Sequence, residues 1–334
     1  MTLVKKYSLF FLIPLILILI NNCNRKSNYI ITGSTMGTTY NINIFAPFVD
    51  VDSLKNKIDF LLVDINKKMS TYDKSSEISK FNNYEKGKYR VSNDFLNVVD
   101  KAIAYSNISK NYDITIKPVL DLWGFDKFQE HIRPDSSDIE NALKYIGIKN
   151  IYIEDNQLVK LNNFVKIDLS SIAKGYAVDK ISDLLNNLSL TNHMVEIGGE
   201  IRVSGYNDGE KWSLGVLNPL NGNIFKVIKL SNKSIATSGT YNNFFIINDT
   251  EYSHLINPRT GYPIKHNAKS VSVISNNCID ADALATLIIT YENPYDAIKV
   301  INMIDNVEAL ILVLDDDNQI IEVKTENYDK YYVN

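Results

Sequence analysis

The sequence predicts an α+β fold of mostly antiparallel sheet with packed helices, and two observations carry that expectation. Segments with apolar residues at every second position alternate with segments of helical period to the end of the chain. Strand-like segments in the second half often follow one another directly, joined by turn signals such as Asn207-Asp208-Gly209 and Asn221-Gly222. Connections that short allow only antiparallel pairing. The 334 residues, 45% hydrophobic and 22% charged, can bury a sizeable core, which excludes disordered and fibrous classes.

Taken in order, Tyr40–Phe45 alternates like a strand, and Leu54, Ile58, Leu61, Leu62, Ile65 and Met69 mark one face of a helix that Asp52 or Ser53 can cap. Further helices fit Asp94–Ser109 and Ser137–Ile146, the latter stopped by Gly147. Strands then fit Asn150–Ile153, Leu158–Ile167, Met194–Ser204, Trp212–Leu217, Phe225–Leu230, Phe244–Ile247 and Lys269–Ser275. Helices intervene at Ile172–Asn186 and Ala281–Tyr291, and Tyr295–Met303 precedes a last strand pair, Ala309–Leu314 and Gln319–Val323. No repeat and no flexible linker divides these elements, so residues 31–330 read as one domain.

Thirty-five Lys and Arg against 39 Asp and Glu leave a net charge of −4, so no general basic field draws the chain to nucleic acid. Two cysteines, Cys23 and Cys278, exclude a disulfide framework. Lys5 and Lys6 precede an uncharged apolar run, Leu9–Ile20, interrupted by Pro14. As a helix that run is about 18 Å long against a hydrocarbon core of about 30 Å, so it fits an export signal over residues 1–22 better than a membrane span. Cys23 stands where a bacterial lipoprotein signal is cut and its thiol acylated, although Asn21 and Asn22 replace the usual small residues before it. Residues 23–30 then form a tether, and the body lies in the bacterial cell envelope, lipid-anchored and facing the periplasm or exterior. An uncleaved anchor and simple secretion are the alternatives, and both also place the body outside the cytoplasm. Cys278, among Val271, Val273, Ile274 and Ile279, reads as a buried structural thiol.

P-loop, dinucleotide-fold, zincin and redox C-x-x-C signatures are missing, which leaves four clusters. Gly33-Ser34-Thr35-Met36-Gly37-Thr38-Thr39 is a small-residue loop that suits close approach to a phosphate or flat ligand, or is a plain turn. Lys166–Tyr176 leads a strand through Asp168 and two serines into a helix containing Lys174, an anion site or a simple cap. Ser253–Pro263 carries His254 before an Asn-Pro, Thr-Gly turn, a general-base candidate or a satisfied surface histidine. In Asp280–Thr286, Asp282 and Thr286 share one helix face as two hard oxygen donors suited to Mg²⁺, unless Asp282 is only an N-terminal helix charge.

In this order, with Met69–Tyr72, Pro118–Phe125, Ile197–Gly205 and Ile235–Tyr241 between them, the clusters make the chain resemble the ApbE family of flavin transferases. The resemblance runs from about Gly33 to Val323 and implies a T-fold-like architecture. It implies Mg²⁺-dependent transfer of FMN from FAD to a Ser or Thr hydroxyl of an acceptor protein, releasing AMP. Met36, Tyr72, Thr115, Ile116, Lys117, Asp168, Lys174 and Ile256 are then FAD contacts, and His254 is the base. Asp282, Thr286 and the carbonyl of Ser171 hold Mg²⁺, or Mn²⁺, which the same oxygens accept. Glu196 stands where the family commonly has asparagine. The implied partner is an exported or membrane-bound flavin-accepting protein, such as a sodium-pumping quinone reductase or Rnf subunit. An FAD pyrophosphatase and a non-catalytic FAD-binding lipoprotein are the alternatives.

Overall fold

The computed structural model describes residues 26–124, 133–240, 244–247 and 250–333; the apolar N-terminal run and Cys23 lie outside them. β1 (Ser27–Thr35) and β2 (Thr38–Ala46) pair in register from Ser27↔Ala46 to Thr35↔Thr38. The stretch expected as a tether is therefore strand from Ser27 onward, and the expected loop at 33–39 is the tip of a hairpin. Its two turn residues, Met36 and Gly37, both have positive φ, 50° and 74°, the geometry whose twist matches paired strands. Periodicity hid β1 because only Tyr29 and Ile31 of its apolar residues point inward while Ile30 is exposed.

The hairpin opens an eight-stranded sheet that continues with β6 (His193–Ile197), β7 (Glu200–Ser204), β10 (Lys233–Gly239), β13 (Ala268–Ser275), β14 (Glu308–Leu314) and β15 (Ile320–Lys324) in that spatial order. All of its pairings are antiparallel. The single strand expected over Met194–Ser204 is two strands, broken by a turn at Gly198-Gly199.

Helices cover one face. α1 (Val51–Met69) buries Leu54, Ile58, Leu62 and Ile65, and its cap is Asp50, whose carboxylate accepts from Ser53 N at 3.1 Å, rather than Asp52 or Ser53. The short α2 (Glu77–Asn83) starts on Ser76 and α3 (Asn93–Ile108) on Ser92. α6 (Ala173–Asn187) and α7 (Cys278–Ile289) lie side by side over the sheet centre and fill the main core with Val271 and Val273. A ribbon of β8 (Trp212–Leu217) and β9 (Ile224–Leu230) covers the other face, packing Trp212, Leu214 and Ile228 on Ile235, Ile274, Leu310 and Leu312. Buried on both faces, β14 reads as an apolar run over Ala309–Leu314, whereas β13 alternates its apolar residues with serines that are buried at 270, 272 and 275.

A third cluster joins α4 (Lys117–Trp123), absent from the expected elements, and α5 (Ser136–Leu143) to Tyr252 and Ile256. Trp123 Nε1 donates to the Gly261 carbonyl at 2.9 Å, tying α4 to the loop after β12 (Thr250–Ser253). In a separate sheet β5 (Gln157–Lys160) lies between β3 (Gly87–Tyr89) and β4 (Ile151–Glu154) and ends at Lys160, so the strand expected to Ile167 stops early. Residues 161–167 are held partly by Asn82, whose Oδ1 accepts from Ile167 N at 2.7 Å and whose amide donates to Ile167 O at 2.8 Å.

Candidate active site

A cavity of about 440 Å³ opens where the ends of β2, β6 and β10 meet α6, α7 and the loop after β12. Every wall is set by a local feature. The positive-φ turn brings Met36 to the rim, a conformation costing an L residue about 1–2 kcal/mol. Asp168 N donates to Ile114 O at 2.8 Å, laying the approach to α6 against Tyr112–Ile116. Asp168 is buried and its Oδ1 accepts from Ser170 N at 2.8 Å and from the Ser170 hydroxyl at 2.5 Å. His254 leaves β12 into a tight loop closed by Asn257 N to Tyr262 O at 2.9 Å and Gly261 N to Asn257 O at 2.8 Å. Gly261 has φ 73°, and a Cβ there would meet Ile139 at 2.5 Å, which is why this turn needs glycine.

The floor is polar. Asp282 and Thr286 face the cavity one turn apart on α7, and Ser238 Oγ lies 3.4 Å from Thr286 Oγ1. Gly175 N donates to Asp282 Oδ2 at 2.8 Å, an approach possible only because α6 has no side chain there. α7 is aimed by Asp179, which accepts from the amides of Cys278 and Ile279 at 2.9 Å each and from Arg202 at 2.7 Å. Lys174 Nζ donates to Glu200 Oε1 at 2.5 Å, and the buried Glu200 Oε2 has no hydrogen-bond partner among the described residues.

Burial dominates the electrostatics. It pushes Glu200 up to about 8 against the pull of Lys174, and raises Asp282 against Lys174 and the Gly175 amide. For Lys174 burial works the other way, and the carboxylates of Asp282 and Glu200 overcome it and hold its pKa raised. Ser171 Oγ donates to the Tyr112 hydroxyl at 2.9 Å, so its side chain braces the wall.

The cavity gathers Met36, Tyr72, Ile116, Asp168, Ser171, Lys174, His254, Ile256, Asp282 and Thr286. It does not include Thr115 or Lys117. Thr115 is fully buried, its hydroxyl donating to Asp113 at 2.6 Å and accepting from Gly147 N at 2.7 Å, so it locks the 3₁₀ turn behind the wall. Lys117 is buried on α4, where it pairs with Asp121. Glu196 lies outside the cavity too, accepting from Gly199 N at 2.8 Å across the β6–β7 turn. Cys278 is fully buried and its thiol is pushed well up by burial, the structural role expected. Sequence reasoning missed Glu200, Ser238, Asn82 and Gly175. A carboxylate directly after Gly198-Gly199, at the start of a strand, was the available signal for Glu200.

No group of three His, Cys, Asp or Glu able to hold a metal occurs among the described residues. The site's oxygens still fit Mg²⁺: a buried carboxylate with one oxygen taken, a hydroxyl one turn away, and the orphaned Glu200 oxygen nearby. Mg²⁺ takes few protein oxygens and completes its shell with water and phosphate.

Antiparallel sheet, flanking helices and a cleft that gathers a histidine, a lysine and hard oxygens define an α+β protein with a polar ligand site. A sequence profile described as the ApbE family matches residues 36–311, and the chain belongs to that family. A relative from Vibrio cholerae serotype O1, named FAD:protein FMN transferase, is 37% identical over 90% of this chain and 92% of its own. One of the same name from Haemophilus influenzae is 36% identical over 79% and 81%. The solved structure titled flavin transferase ApbE from Vibrio cholerae superposes with a TM-score of 0.84 at 33% identity, covering 92% of this chain and 99% of that one.

Proposed function

We propose that the protein transfers the FMN half of FAD, in the presence of Mg²⁺, to a serine or threonine hydroxyl of an acceptor protein, and that it works in the bacterial cell envelope with lipid on Cys23. The observation that carries this reading is that His254 and the Asp282–Thr286 face line one cavity. A site that only stored FAD would need no base there.

Met36, Tyr72 and Ile256 offer apolar and aromatic surface to a flat ring, and Lys174 offers an ammonium to phosphate. Asp282, Thr286 and the Ser171 carbonyl would hold Mg²⁺, which when bound offsets charge on the pyrophosphate oxygens. His254 accepts the proton as the acceptor oxygen bonds to the FMN phosphorus. The pyrophosphate bond breaks on the far side and its electron pair leaves with AMP, so the acceptor ends as an FMN phosphoester. By resemblance the acceptor is an exported or membrane-bound electron-transfer protein of the sodium-pumping quinone reductase or Rnf kind.

The test mixes purified protein with FAD, Mg²⁺ and such a subunit and reads in-gel flavin fluorescence and AMP. Labelled acceptor with equal AMP is expected, and both should vanish in His254→Ala. FMN and AMP with unlabelled acceptor would make the protein a hydrolase, and the absence of both labelled acceptor and AMP would overturn the reading.

A further inference from the structure

The start of the described chain and the cavity lie at opposite ends of the same strands. Ser27 pairs with Ala46, and Ile44 with His193, which in turn faces Ser204. At the other end Thr35 pairs with Thr38 and Ile197 with Glu200, where the turns at Met36 and Gly198 line the cavity. Nine residues of β1 span the two ends, about 27 Å at the usual strand rise.

The Ser27 end carries two adjoining grooves. One, of about 250 Å³, is lined by Lys26, Phe45 and Tyr206, and the other, of about 150 Å³, by Phe48, Lys57 and Leu188. Phe45 N donates to Asn192 O at 2.8 Å, tying β2 to the segment before β6 that carries Leu188. Phe48 is 75% exposed, Tyr206 47% and Leu188 41%, so this end presents aromatic and aliphatic surface to solvent. Of the acids close in the chain to these residues, Asp50 caps α1 and Glu210 pairs with Lys229, while Asp52 and Asp208 are exposed. Amphipathic aromatics flanked by lysines are the composition that settles at a bilayer interface. Cys23 stands four residues before Ser27, and four residues span at most about 14 Å.

We propose that this end of the protein is a membrane-docking surface. Phe48, Tyr206 and Leu188 enter the interfacial layer of a phospholipid bilayer beside Lys26 and Lys57, and the strands stand upright with the cavity on the side away from the membrane. The inference rests on the reading of Cys23 as the lipid-bearing residue. A lipid there brings the grooves to the headgroups, because β1 begins too soon to leave slack. An acceptor anchored in the same membrane must then present its hydroxyl on a part that rises about 27 Å, eight strand steps, from the surface.

The test reconstitutes the full-length chain into phosphatidylethanolamine–phosphatidylglycerol vesicles with brominated acyl chains and reads tryptophan quenching. Trp123 and Trp212 are buried and give a constant background. Asn28 and Ser34 are both exposed on one face of β1 and serve as a ruler. Expected is loss of fluorescence for Phe48→Trp, a smaller loss for Asn28→Trp and none for Ser34→Trp. Equal quenching at positions 28 and 34 would overturn the upright orientation, and none at position 48 would overturn the docking surface. Flotation separates the two readings. A Cys23→Ala chain that floats with the same quenching gradient supports the surface while removing the lipid, and a wild-type chain that does not float overturns both.

Discussion

Replacing Gly175 by alanine should both destabilise the protein and disable it, and the structure fixes the sign. A Cβ built at Gly175 lies 2.4 Å from the Cys278 carbonyl oxygen, 2.7 Å from its carbon and 2.8 Å from Asp282 Cβ. Two of those atoms are backbone, so no side chain can swing away and α6 must move from α7. Relieving an overpacked contact of that kind costs about 1–3 kcal/mol. Losing the bond from Gly175 N to the Asp282 carboxylate adds about 1.5–3 kcal/mol. Helix propensity works in the other direction, since Gly→Ala inside a helix gains about 1 kcal/mol. The net loss of about 1.5–5 kcal/mol leaves most domains folded and, for a domain of about 300 residues, lowers Tm by roughly 2–8 °C. Activity should fall further, about a hundredfold, because a shift of about 1 Å moves Asp282 from its working position. Thermal denaturation and initial rates of AMP release measure the two effects. Because the activity loss runs through Asp282, adding Gly175→Ala to Asp282→Ala should cost no further rate. A Gly175→Ala protein as stable and active as the parent would refute the close approach of the two helices.

Three further outcomes are expected. His193 is fully buried between Ser182 Oγ and Leu190 O, and burial lowers its pKa to about 4. Its contribution is therefore complete above about pH 6.5, where the unfolded chain is also neutral, and about 3 kcal/mol is lost as pH falls toward 4 and the unfolded state takes up the proton first. Urea titrations over that range should give a shallower loss for His193→Gln, and identical slopes would rule this out. Met36→Asn should gain about 1 kcal/mol by relieving positive φ while weakening FAD binding, as read by melting and by flavin fluorescence titration. Removing Mg²⁺ should weaken FAD binding in calorimetric titration, and equal affinity with and without the ion would rule out coupling between the metal and the dinucleotide.

What the sequence disclosed and what it hid follow from one distinction. Helices with one apolar face and clear caps, such as α1 and α3, announce themselves because the solvent-facing side interrupts the apolar pattern. β1 is hidden because its partner supplies the reason for its conformation, and α4 because seven residues starting at Lys117-Pro118 are too short for a period. The site divides the same way. His254, Asp168, Asp282 and Thr286 sit in local motifs that mark them as candidates from the sequence, and the fold brings all four to one cavity. Glu200 matters because an element 26 residues away places Lys174 against it, and Gly175 because one 107 residues away brings Asp282 to its amide. Thr115 and Lys117 show the converse, since neighbours on the chain of Ile116 face the fold's interior while Ile116 faces the cavity.

A net charge of −4 is at odds with a dinucleotide ligand only if binding depends on the general field. The cavity concentrates the conflict, with two buried carboxyls, Glu200 and Asp282, facing one ammonium, Lys174. Burial raises both carboxyls, and Glu200 Oε2 has no hydrogen-bond partner among the described residues, so the site has an oxygen to offer a cation. A pyrophosphate alone would add negative charge beside carboxyls that already resist ionising, and a divalent cation alone would lack the phosphate oxygens that complete its shell. If the proposed function holds, each ligand removes the obstacle to the other, so their binding should be mutually reinforcing, and any such coupling is reciprocal by thermodynamic necessity. On the proposed function, the acidity of this one cavity is thus the reason to expect a metal-bound dinucleotide to bind better than the dinucleotide alone.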